Sequence, residues 1–244
     1  METLWLRGGF PRSLLAKNDG LSLDWRRSFL LTYLTRDIPA LEPRIPAETL
    51  RRLWTMLAHA QGTPLNASRL ATSLSVSSPT VARYIDLLVD LLLVRQLQPF
   101  HANLGKRLVK APKIYVRDSG VLHALLAVPS RNALLDHPIV GSSWEGFVIE
   151  TLINCAPAWT SPFYYRTSAG AEIDLLLELP GSELWAIEIK RSLSPKVERG
   201  FHSACDDLKP ARRLVVYAGQ ERVLLPHGVE AVGLLELAAE LATI

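Results

Sequence analysis

Two stretches decide the reading: Glu172-Ile173-Asp174-Leu175-Leu176-Leu177-Glu178-Leu179, and, past Pro180-Gly181-Ser182, Leu184-Trp185-Ala186-Ile187-Glu188-Ile189-Lys190. Apolar residues recur at alternate positions: Ile173, Leu175 and Leu177 in the first, Trp185, Ile187 and Ile189 in the second. Strand side chains alternate between faces, so Glu172 shares a face with Asp174, and Glu188 with Lys190. Pro180, Gly181 and Ser182 supply the turn of a hairpin. A register with Asp174 opposite Glu188 sets Leu176 opposite Ala186 and Glu172 opposite Lys190. Opposed carboxylates repel, and a divalent cation turns that repulsion into a site.

Working outward, the segment from about Pro138 to the end opens on a helix, Ser142-Ser143-Trp144-Glu145-Gly146-Phe147-Val148-Ile149-Glu150-Thr151-Leu152-Ile153. On a wheel of 3.6 residues per turn, Glu145 falls in the middle of the apolar arc beside Ile149 and Leu152. Glu150 falls on the polar side with Ser143 and Thr151. A glutamate inside a core-facing stripe needs a partner, which makes Glu145 a further acidic candidate. Strands are expected at residues 163–166, 172–179, 184–190, 214–217 and 229–232, with helices at 196–208 and 234–242. This is a mixed-sheet α/β domain over residues 138–244.

Residues 43–127 read as a second domain. A helix starts at Pro46, a short helix covers residues 67–74, and a long helix begins at Pro79 with Ser78 as its cap. The pair is a helix-turn-helix pattern. Strands at residues 94–100 and 113–116 flank a basic loop, so a winged helix is expected. In a DNA-binding helix-turn-helix the start of the second helix meets base edges; here those residues are Ser77, Ser78, Thr80 and Arg83. Lys106, Arg107, Lys110 and Lys113 would track phosphates as a wing. Ser and Thr with a single Arg make a thin recognition surface, and a protein-docking role stands beside the nucleic-acid one. Residues 1–42 contribute a short irregular start and one helix, capped by Asp24 and ended by Pro39 and Pro43.

Composition excludes little. The 244 residues are 48% hydrophobic with a net charge of +3, so only local clusters argue for nucleic acid. Cys155 and Cys205 form no metal-binding pair, and the six histidines lack ligand spacing. The start METLWLRGGFPRS has no signal-peptide pattern, and the apolar run from Leu87 to Val94 is interrupted by Asp90. A cytoplasmic protein with no membrane contact is expected.

The acidic set has a coherent chemistry. Asp174, Glu188 and the Ile189 carbonyl are hard oxygen donors suited to Mg²⁺ or Mn²⁺, with Glu145 completing the set. Lys190 would stand near the attacking water in phosphodiester hydrolysis. The plainer alternative is a solvated strand edge with ordinary cross-strand ion pairs.

The order of helix glutamate, Glu-Ile-Asp strand and Glu-x-Lys strand resembles the PD-(D/E)xK nuclease superfamily. More closely, TSAGAEIDLLLE followed by AIEIKRS is similar to a C-terminal domain family, itself of unknown function, of bacterial and archaeal AAA-type ATP-binding proteins. The segments LWLRGGFP, TYLTRDI, KAPKIYVRDSG and GSSWEGFVIETL extend the resemblance over nearly the whole chain. It implies a lid remnant at residues 1–42, a winged helix, and a restriction-endonuclease-like domain at 138–244. It also implies DNA, or an ATPase or other protein, as partner. The chain departs from that family in having no GxxxxGK[ST] segment: Leu104-Gly105-Lys106-Arg107 lacks the first glycine and the closing Ser or Thr. No ATP site is expected, and the chain reads as beginning where an ATPase would end. The leading expectation is a DNA-binding protein with a Mg²⁺-dependent nuclease-like domain. The alternatives are a non-catalytic regulatory module of an ATPase system and a truncated remnant.

Overall fold

A computed structural model describes residues 1–42, 45–101 and 107–244. They divide into two units, one of residues 1–96 and 114–147, the other of 97–113 and 148–244. The chain is mixed α/β. Its elements are α1 (Glu2–Arg7), α2 (Pro11–Leu14), α3 (Asp19–Thr32), α4 (Ile38–Leu41), α5 (Ala47–His59), α6 (Ala67–Leu74), α7 (Ser78–Asp90), β1 (Val94–Pro99), β2 (Lys113–Val116), α8 (Ser119–Leu125), α9 (Arg131–Leu135) and α10 (Val140–Cys155). They continue as β3 (Ser161–Arg166), β4 (Glu172–Leu179), β5 (Glu183–Ile189), α11 (Arg199–Leu208), β6 (Arg212–Tyr217), β7 (Val223–Leu225), β8 (Val229–Gly233) and α12 (Leu234–Leu241).

The first unit is mainly helical. Leu50, Leu53, Trp54 and Leu57 of α5 are fully buried, as their spacing predicts, and pack in one cluster with Leu70 and Leu74 of α6 and Val81, Ile85 and Leu88 of α7. Between α6 and α7, Ser75 takes a left-handed conformation that turns the chain. The cap of α7 is Ser77, whose hydroxyl accepts from the Thr80 N–H, with Pro79 in the first turn. Ser78, expected as the cap, is already helical, because proline fits either of the first positions. The helix expected from Asp24 starts earlier, at Asp19. Asn18 caps it by accepting from the Leu21 N–H, and a π-helical turn, Tyr33–Asp37, carries it on to α4. Pro39 lies inside α4, at its first turn, rather than ending the helix. Pro43 lies outside the described residues.

A buried polar staple ties α1 to α8. Arg26 of α3 donates from Nη1 to the carbonyls of Leu6 and Gly120. His123 of α8 sits between the Leu6 carbonyl, 3.0 Å from Nδ1, and Ser143 Oγ, 2.7 Å from Nε2; Trp5 Nε1 donates to the same Ser143 oxygen. The Leu6 carbonyl can only accept, so Nδ1 carries the proton. The Ser143 hydroxyl then donates to Nε2, and every group in the relay is satisfied.

In the second unit the strand order is β1-β3-β4-β5-β6-β8-β7. Pairing is parallel for β1–β3, β5–β6 and β6–β8, and antiparallel for β3–β4, β4–β5 and β7–β8. The hairpin β4–β5 has the expected register: Leu176 faces Ala186, and Gly181 and Ser182 turn the chain with positive φ. Leu176 and Ala186 pack with Phe201, Ala204 and Cys205, the apolar stripe of α11. Burial pushes the Cys205 thiol up to about 12, so it behaves as a small apolar residue. Among the described residues, no helix is long and apolar enough to cross a membrane.

Candidate functional site

Beyond the apolar cover of α11, the rows on β4 and β5 become charged. Paired positions run as far as Leu175 and Ile187, and one further step of that register sets Asp174 opposite Glu188. There the main-chain ladder gives way to a side chain: the Ile189 N–H donates to Asp174 Oδ2 at 2.9 Å. Asp174 is thereby held rigidly by the neighbouring strand.

Glu188 is 7% exposed and faces Lys190 Nζ at 2.8 Å. Lys190 also reaches Glu198, the N-cap residue of α11, at 3.1 Å. Burial favours a neutral carboxyl and pushes Glu188 upward from the ordinary 4.5, while Lys190 pulls the other way. Burial alone would lower the Lys190 ammonium, but hydrogen bonds and charge from Glu188 and Glu198 more than offset it. Its pKa is raised, and it stays protonated.

The other side of the acidic row is closed by Lys113. Its Nζ lies 3.0 Å from Glu172 and 3.9 Å from Asp174, with only 3% of the side chain exposed. Arg166, opposite Glu172 on β3, adds a contact at 3.5 Å. Glu172 therefore turns to Lys113 and Arg166, and Lys190 to Glu188 and Glu198, rather than to each other.

The remaining candidates are placed as follows. Glu145 lies in the first unit, half-buried, and its Oε1 accepts a short hydrogen bond from the Tyr115 hydroxyl. Glu150 of α10, assigned by the wheel to the polar side, is 6% exposed. Ser78 and Arg83 are exposed on α7; Thr80 is half-buried, its hydroxyl 2.8 Å from Ser77 Oγ. Arg107 and Lys110 are exposed, and Lys106 lies outside the described residues. Lys113, expected on a wing, is turned inward onto β4. Among the described residues, no group of three or more His, Cys, Asp or Glu side chains is arranged to hold a metal ion.

Two family profiles match. One is a domain of unknown function, DUF8612, over residues 1–132; the other is a domain of unknown function, DUF4143, over residues 140–237. The first spans more than half of the chain. The chain belongs to the DUF8612 family. Asp174, Glu188 and Lys190 lie within the DUF4143 match, and Lys113 within the DUF8612 match. Uncharacterized proteins of Mycobacterium bovis and Mycobacterium tuberculosis are each 47% identical to it over 232 residues. That covers 95% of this chain and 52% of each relative, so the chain spans about half the length of the curated relatives it matches. No solved structure matches the chain.

Proposed function

We propose that the chain is a nucleic-acid-binding protein whose second unit is a PD-(D/E)xK-like domain for metal-dependent phosphodiester hydrolysis. The observation that carries this reading is the β4–β5 register, which brings Asp174 against Glu188 with Lys190 two residues further on. The donors suit Mg²⁺ or Mn²⁺, because carboxylate oxygens are hard ligands and one Asp174 oxygen is already oriented by the Ile189 N–H. Asp174 and Glu188 would hold the ion. A bound divalent ion would lower the pKa of water and neutralise charge on phosphate. Lys190, kept protonated by Glu188 and Glu198, places a cation where negative charge builds on phosphate oxygens. The α6–α7 pair, read as part of a winged helix, supplies Arg83 as the group that reaches duplex DNA, with Arg107 and Lys110 tracking phosphates.

A second reading has its own support: Lys113, Arg166 and Lys190 together balance the three carboxylates Glu172, Asp174 and Glu188. A charge-balanced row of this kind suits a non-catalytic module that docks on an AAA-type ATPase or another protein. Incubation with single-stranded, nicked and branched DNA, with and without Mg²⁺ or Mn²⁺, separates the two. The hydrolase reading expects metal-dependent cleavage of at least one substrate, lost in Asp174→Ala. No cleavage of any substrate, or cleavage unchanged in Asp174→Ala, would leave the docking module.

A further inference from the structure

We infer that the Lys113 ammonium is an internal counter-ion that closes the acidic row, and that a divalent cation binds at Asp174 by displacing it. This rests on the metal-dependent reading of the same site and adds its control. Lysine is rarely buried unless paired, and here the pairing is specific. The ammonium lies 3.0 Å from Glu172 and 3.9 Å from Asp174, and 5.4 Å from the centre of the Tyr164 ring. The Tyr164 hydroxyl donates to the carbonyl of Ala111, two residues before Lys113, so the aromatic wall and the strand bearing the lysine are fastened together. Asp174 is the shared element. Its carboxylate faces Lys113 and takes the Ile189 N–H, and it is also one of the two proposed metal ligands.

A fixed positive charge a few ångströms from a carboxylate satisfies part of that carboxylate's demand for a cation and repels a second one. Glu172 keeps Arg166 at 3.5 Å when Lys113 is neutralised, so removing the lysine charge does not orphan it. Lys113→Met retains an apolar stem against Tyr164 and removes the charge together with its ion pairs.

The test is Mn²⁺ binding followed by electron paramagnetic resonance, which reads the free ion and needs no activity. Lys113→Met is expected to bind Mn²⁺ about tenfold more tightly than wild type, or better. Lys113→Arg, which keeps the charge, is expected to bind like wild type, and Asp174→Asn to abolish binding in both the wild-type and Lys113→Met backgrounds. Binding through Asp174 that Lys113→Met leaves unchanged would overturn the counter-ion role while sparing the metal reading. Absence of Mn²⁺ binding in wild type and Lys113→Met alike would overturn both. A second measurement on wild type decides the matter if Lys113→Met fails to fold. In limited reductive methylation read by peptide mass spectrometry, Lys113 should react slowly, and several-fold faster once Mn²⁺ is saturating. An unchanged rate with Mn²⁺ bound would overturn the displacement.

Discussion

Lys190 Nζ stands 2.8 Å from a Glu188 carboxylate that is almost fully buried, and Lys190 has the greater solvent contact of the two. Taking away the lysine leaves a buried carboxylate opposite Asp174, with Glu172 and Glu198 adding like charge. Lys190→Met should therefore destabilise the protein by roughly 3 kcal/mol, the low end for a broken buried pair because Lys190 is 26% exposed. Denaturant unfolding at pH 7 checks it; a loss below about 1 kcal/mol would show that the pair is solvated.

His123 predicts an acid-sensitive step. Burial holds its imidazole down at about 4 from the ordinary 6.5, against the Leu6 hydrogen bond, which favours the charged form. The folded state thus binds this proton less readily than the unfolded chain. The contribution is intact above pH 6.5 and is lost as pH falls from 6.5 towards 4. It amounts to about 3 kcal/mol. Urea unfolding across that window should show the decline in wild type and a flatter profile in His123→Gln.

Gly200 lies in the first turn of α11, where a Cβ would fall 2.6 Å from the Gly170 carbonyl oxygen. Backbone cannot yield as a flexible side chain does. Gly200→Ala should lower stability by roughly 1–3 kcal/mol and push Glu198 away from Lys190. Thermal unfolding reads the first effect, and chemical shifts of the Lys190 side chain read the second.

On the nucleic-acid side, Arg83→Ala should weaken duplex binding by roughly 1 kcal/mol or more, and affinity should fall steeply with added salt. Fluorescence anisotropy at several salt concentrations checks both. Binding indifferent to salt would argue against phosphate tracking by Arg107 and Lys110.

The hairpin was legible because its signals are local: an apolar period of two on each side of Pro180-Gly181-Ser182 determines which carboxylates share a face, and turn length determines the register. β4 and α6 have the expected bounds, and most other elements shift by a few residues at their ends. Glu150 was not legible. Residues 143–150 of α10 are buried except Glu145, which is half-buried, and a helix covered all round gives a wheel no polar side to identify. Lys113 escaped for a different reason. Its partner Glu172 is far away in sequence, and nothing in the strand Lys113-Ile114-Tyr115-Val116 says that the leading lysine turns inward. The short helices α1 and α8 lack the periodic length that marks a helix. They are held by tertiary bonds, among them those of Arg26, that no window of sequence contains.

The most direct measurement of the central claim is single-turnover phosphodiester cleavage by Glu188→Gln beside wild type at saturating Mg²⁺. The substitution keeps the side-chain shape and removes the carboxylate charge. The account predicts a rate lower by roughly a hundredfold or more, with the fold preserved by circular dichroism. Cleavage by Glu188→Gln at the wild-type rate would contradict it.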